Sequence, residues 1–84
     1  MESTVATIPK NKTQDIVVRH CEFHDRPFVD VRLFVVADAT GDRVPTRKGI
    51  AIPPEILPEV INALRTAEQE LRTQGLMPAE EKAA

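Results

Sequence analysis

The sequence predicts an α+β domain in which extended segments come first and a single amphipathic helix follows. Three observations carry that prediction. Between Asp15 and Ile52, β-branched residues fall in short runs separated by turn-forming residues. Within that stretch, Phe28 to Ala37 alternates with a period of two. Beyond Pro54 the apolar period changes to that of a helix. With 84 residues, 42% apolar and 29% charged, the chain has room for one small globular domain. A domain of this size buries only roughly 60% of its unfolded surface, so it is marginal as a monomer.

Each element has its own justification. Met1 to Gln14 is polar, threonine-rich and broken by Pro9, and reads as a flexible N-terminal tail over 1–14. The folded part is expected over 15–74, with the sheet in 15–52 and the helix in 54–74. Asp15 to Phe23 has the length and composition of a strand, and His24 to Pro27 reads as a hairpin loop. In the next strand, Val29, Val31, Leu33 and Val35 share a purely aliphatic face that should meet a core. Phe28, Asp30, Arg32 and Phe34 form the other, where rings and charges mix. Asp38 to Asp42 is a turn cluster. Arg43 to Ile52 is a third extended segment, and Pro45 makes it an edge strand, a bulged one, or two short strands. Gly49 is a candidate bulge or point of close approach.

Pro53-Pro54-Glu55 suits the start of a helix, with Pro58 marking either a bend or the true first turn. Gly75 is the stop, and 75–84 reads as a second flexible tail. Ile56, Leu57, Val60, Ile61, Ala63, Leu64, Ala67 and Leu71 fill an arc of about 160°, wider than the ~100° that one small sheet needs. The excess width suggests a second partner, most simply the same helix of another copy.

Composition excludes several function classes. The longest apolar run, Leu33 to Ala37, is far shorter than the ~20 residues of a membrane span. Met1 to Gln14 has no apolar stretch of the signal-peptide kind, and the single cysteine suits a reducing compartment. An intracellular protein is therefore expected, in the bacterial cytoplasm or nucleoid, or in a nucleus. His20 and His24 would stand ~13 Å apart along a strand, too far to share a metal ion. Cys21 lacks an evident base, and the three glycines are scattered singly, so neither nucleophilic catalysis nor a phosphate loop is expected. No enzyme activity, metal or cofactor is anticipated.

The net charge of −2 hides an asymmetry: residues 1–52 carry +1 and residues 53–84 carry −3. Arg19, Arg32, Arg47 and Lys48 come from three extended segments, with Arg26 in the first hairpin and Arg43 after the second. Phe23, Phe28 and Phe34 are the only aromatics, and all lie in the first two strands. A sheet face pairing cations with exposed rings is how proteins hold single-stranded nucleic acid, with cations on phosphates and bases stacked on rings. The same residues also fit phenylalanines in a core and arginines on ordinary surface, and spacing alone does not choose.

Three stretches in order, FVDVRLF at 28–34, DATGDR at 38–43 and TRKGIAIPPE at 46–55, resemble the DNA-binding domain of the positive cofactor four family of transcriptional coactivators. The likeness spans about residues 15–72. It implies a curved four-stranded antiparallel sheet and one C-terminal helix, dimerising through the helix, with Arg43–Ile52 either divided into two strands, roughly Arg43–Thr46 and Lys48–Ile52, or sharply bent at Pro45. It further implies single-stranded-DNA binding in transcription, replication or repair, with transcription machinery as a partner class, in a bacterial or viral type of member. Arg32 matches the strand-two arginine, and Arg47-Lys48-Gly49 matches the basic-Lys-Gly step. Phe23 and Arg26 fall near the hairpin aromatic and basic positions. Arg19 and Phe34 complete the candidate binding set. Arg32 and Lys48 are both expected to point outward. Leu57, Val60, Ile61, Leu64, Ala67 and Leu71 are the candidate dimer interface. Val35 stands where family members often carry tryptophan, which leaves stacking to Phe23, Phe34 or Phe28. A protein-interaction module with weak DNA binding, and an RNA-binding variant, are the alternatives.

Overall fold

The computed structural model describes residues 2–78. Four strands, β1 (Glu2–Pro9), β2 (Gln14–Phe23), β3 (Arg26–Val36) and β4 (Arg43–Ile52), precede one helix, α1 (Leu57–Thr73). The strands pair in chain order as a wholly antiparallel meander, β1-β2-β3-β4. This is the α+β fold the sequence predicts, with two corrections to its parts.

The fourth strand does not come from dividing Arg43–Ile52. It is the N-terminal stretch, expected to be a flexible tail, which pairs with the free edge of β2. A register shift between Thr4 and Ala6 interrupts the alternation of β1, which is why no period shows in the sequence. An Asn11 turn then closes the hairpin. Its Oδ1 accepts from the Thr13 amide at 3.0 Å, and the Lys10 amide donates to the Gln14 carbonyl at 2.9 Å. The second correction is that β4 runs unbroken through Pro45. It is both an edge strand and a bulged one: Arg32 faces Gly49, but Phe34 faces Pro45, so β4 spends two extra residues there. Gly49 is a point of close approach. A Cβ on it would lie 2.6 Å from the Val31 carbonyl oxygen and 2.8 Å from Arg32 Cα.

Register sorts the side chains into two faces, because directly opposed residues point the same way. One face carries Asp15, Val17, Arg19 and Cys21 of β2 beside Phe34, Arg32, Asp30 and Phe28 of β3. The other carries rows of aliphatics: Ile8, Ile16 and Leu33; then Ala6, Val18, Val31 and Ile50. The sequence expects this aliphatic face to meet a core, and within the chain it does not. Val29, Val31, Leu33 and Val35 are only half-buried, and Ile50 is 58% exposed. The buried groups lie chiefly on the mixed face, where Val17, Cys21, Asp15 and Asp30 are enclosed; Ile52 is buried on the other.

The reason is the placement of α1, which makes no extended contact with any strand. Its first turn begins at Leu57 rather than at 54, with Pro58 within that turn and Glu59 complementing the dipole. It ends in a Schellman motif at Gly75, φ +71°. The Gly75 amide donates to the Arg72 carbonyl at 3.0 Å and that of Leu76 to Leu71 at 2.8 Å. Among its residues none is buried; Ile61, Leu64 and Leu71 are exposed while Leu57 and Val60 are half-buried. Of the tail expected over 75–84, residues 79–84 lie outside the described residues. No helix among the described residues is long and apolar enough to cross a membrane.

Candidate nucleic-acid interface

The mixed face of the sheet is organised around a buried carboxylate that the sequence places there without revealing its importance. Asp30 sits between Arg19 and Arg32, its side chain only 4% exposed. Arg32 donates through Nε and Nη2 to both Asp30 oxygens, at 3.0 and 2.8 Å, in a fork-to-fork pair. Arg19 adds a third donor at 2.9 Å. The Arg32 hydrogen bond first, then that of Arg19, holds the Asp30 carboxyl below its ordinary value, against the opposing effect of burial. In return, Asp30 raises both guanidinium groups above theirs. Arg19 also lies 5.5 Å from the centre of the Phe34 ring and reaches Glu2 of β1 at 2.9 Å. A second pair, Asp15 with Arg43 at 3.3 Å, stands at the far end of the same face.

A further donor of Arg32 ties this cluster to the bulge. Nη1 donates to the Thr46 carbonyl at 2.9 Å, while the Thr46 hydroxyl donates to the Leu33 carbonyl at 2.8 Å and accepts from the Lys48 amide at 3.1 Å. The expectation that Arg32 points freely outward is thereby corrected: its guanidinium is engaged within the protein through three hydrogen bonds, with the side chain 22% exposed. Its role is to brace the segment that displays Arg47 and Lys48, both of which are exposed. Sequence reading identifies those two cations but not Thr46, whose three hydrogen bonds hold them.

The β2–β3 hairpin supplies the other end of the face. Only two residues, His24 and Asp25, form its turn, and both have positive φ, 54° and 63°. That tight geometry suits hairpin twist, and it puts Arg26 and Pro27 inside β3 rather than in a four-residue loop. Phe23 is 66% exposed and meets the His24 ring edge-on at 4.1 Å. Arg26 is exposed directly opposite Phe23. From Arg26 to Arg32 the strand rises about 20 Å, room for several nucleotides.

The predicted residues therefore fall into groups. Phe23 and Arg26 stand exposed at the tip, Arg47 and Lys48 stand exposed on the bulge, and Arg19, Arg32 and Phe34 are half-buried between them. Gly49 lets β4 approach β3 beneath the bulge. Among the described residues no group of three or more His, Cys, Asp or Glu is placed to hold a metal ion.

A family model described as transcriptional coactivator p15 (PC4) matches residues 10–63. The chain belongs to that family. Among solved structures, a PC4 homologue of Burkholderia pseudomallei in a tetragonal crystal form is 46% identical, with a TM-score of 0.74. That match covers 81% of this chain and 98% of the homologue. An orthorhombic form gives 47% identity and a TM-score of 0.73, covering 81% and 90%. A bacteriophage T5 homologue of the eukaryotic coactivator PC4, described as implicated in recombination-dependent DNA replication, shares the fold at 16% identity. Its TM-score is 0.60, over 89% of this chain and 82% of that one. No curated protein sequence matches significantly. Both the PC4-like fold and the bacterial and phage character of its relatives agree with the resemblance read from residues 28–55.

Proposed function

We propose that the chain is a homodimeric, sequence-tolerant single-stranded-DNA-binding protein acting inside the cell, as a coactivator-like factor in transcription or an accessory in replication or repair. It acts by binding, without catalysis. The observation that carries this reading is the spacing of three exposed cations and an exposed ring between the β2–β3 hairpin tip and the β4 bulge. Phe23 and Arg26 stand at the hairpin tip, with Arg47 and Lys48 on the braced bulge. A strand lying between them stacks a base on Phe23, worth roughly 1–3 kcal/mol, and sets its phosphates on the three cations. Family membership, and the implication of the phage T5 homologue in recombination-dependent DNA replication, support the same direction.

Two apolar surfaces support the dimer. The aliphatic back of the sheet and the Ile61–Leu64–Leu71 stripe of α1 do not cover each other within one chain. The chain exposes 6900 Å², where a compact monomer of its mass exposes about 5000 Å². The excess surpasses the ~800 Å² that each partner buries in a standard interface. Leu64, 65% exposed, is the sharpest probe. Leu64→Glu should move the protein from dimer to monomer mass in sedimentation, and a variant still running as a dimer would place the interface elsewhere.

Fluorescence anisotropy with labelled single-stranded and duplex oligonucleotides over a salt series tests the binding. The expected result is preference for the single strand, with log affinity falling by about 0.7 per phosphate contact per decade of salt. Failure to bind at low salt would overturn it. One observation favours the second reading, a protein-interaction module: Arg19 and Arg32 are already neutralised by Asp30 and Glu2. An RNA arm in the same titration tests the ribose preference.

A further inference from the structure

Resting on the single-strand reading above, we infer that Arg19 is a phosphodiester site which Glu2 of the N-terminal strand occupies in the free protein, so that this carboxylate sets the affinity of the face. The two arginines of the face differ in what surrounds them. Arg32 spends its donors inward, on both oxygens of Asp30 and on the Thr46 carbonyl. Arg19 has one inner anchor, Asp30 at 2.9 Å, and one outer partner, Glu2 at 2.9 Å. Its Nε is buried without any acceptor, and Phe34 backs the guanidinium at 5.5 Å. Three sides of the group are therefore fixed, and the fourth is closed by a side chain that can leave.

Glu2 is suited to leaving. It is 60% exposed at the first residue of an edge strand, and in the register it faces Cys21, so it reaches Arg19 diagonally across a row. An exposed ion pair of this kind is weak. A phosphodiester oxygen can replace the carboxylate one for one against the preset Nη1–H. The exchange has a signature in salt. When phosphate displaces Glu2, the DNA loses a counterion and the freed carboxylate regains one, so the Arg19 contact adds nothing to the salt slope of the native protein. With Glu2 neutralised, the contact counts in full.

The experiment compares the whole native chain with Glu2→Gln, titrating labelled oligo(dT) by anisotropy over a salt series. Glu2→Gln should bind up to about fivefold tighter at low salt, with a slope steeper by about 0.7. Adding Arg19→Gln should erase both gains, whereas the same change in the native background should cost little; thermal melts confirm that each variant is folded. Glu22→Gln removes an equal charge from an exposed residue on the other face. An equal gain there would show a net-charge effect and overturn the inference, as would native affinity and slope in Glu2→Gln. If neither the native chain nor Glu2→Gln binds oligo(dT), the single-strand reading itself fails.

Discussion

The two faces of the sheet are built from the same strands and solve opposite problems. On the mixed face the chain satisfies itself: Asp30 is enclosed by two guanidinium groups, Asp15 by Arg43, and Val17 and Cys21 are buried among them. On the aliphatic face the rows through Val18, Val31 and Ile50 are assembled in register and left uncovered. The difference teaches that the ordinary equation of aliphatic with interior does not hold within this chain. Its polar side is largely paired within the chain, while its apolar side is left exposed.

The largest effect that can break the comparison is at Asp30. Asp30→Ala leaves two half-buried guanidinium groups facing each other and should cost about 3 kcal/mol in urea unfolding. A cost below about 1 kcal/mol would show that the mixed face is not held by its charges. The pH dependence sharpens the point. Because the folded carboxyl titrates below its ordinary value of 3.8, its contribution is complete above that value and is lost as pH falls through the folded one. Native protein should therefore lose stability in acid below about pH 4, and that acid limb should be shallower in Asp30→Asn.

A middle-sized effect is expected beneath the bulge. Gly49→Ala drives a Cβ into the Val31 carbonyl and Arg32 Cα, both backbone atoms that cannot swing aside. A loss of about 1–3 kcal/mol should follow, together with weaker binding as Arg47 and Lys48 lose their mount. Unchanged stability would mean that β4 can slide outward without harm. The smallest effect on stability belongs to Lys48→Ala. This exposed residue should leave the melting temperature alone while flattening the salt slope of single-strand binding by about 0.7. An unaltered slope would remove Lys48 from the interface.

Much of this was legible in the sequence, and what was not has identifiable causes. The alternation through Val29–Val35 assigns both faces of β3 correctly, and Gly49 and Gly75 announce a close approach and a helix stop. β1 stayed hidden because a one-residue irregularity near Val5 destroys the period that reveals a strand. The division expected within Arg43–Ile52 follows from a resemblance that implies four strands and from Pro45, which breaks a central ladder; the fourth strand is β1 instead. The site was legible as residue types and not as partnerships. Nothing in the order of Arg19, Asp30 and Arg32 shows that one carboxylate holds both arginines, since Arg19 arrives from another strand.

The meander order has a consequence for how the molecule comes into being. Every strand pairs with its neighbour in the chain, so the sheet closes through short loops with no crossover to wait for. That step is first order and independent of concentration. In the dimer proposed above, covering the aliphatic back is a meeting of two molecules, and its rate falls with dilution. On that proposal a newly made chain passes quickly into a finished sheet and then waits with its greasiest surface bare. The dangerous interval in its life is set by abundance rather than by folding speed.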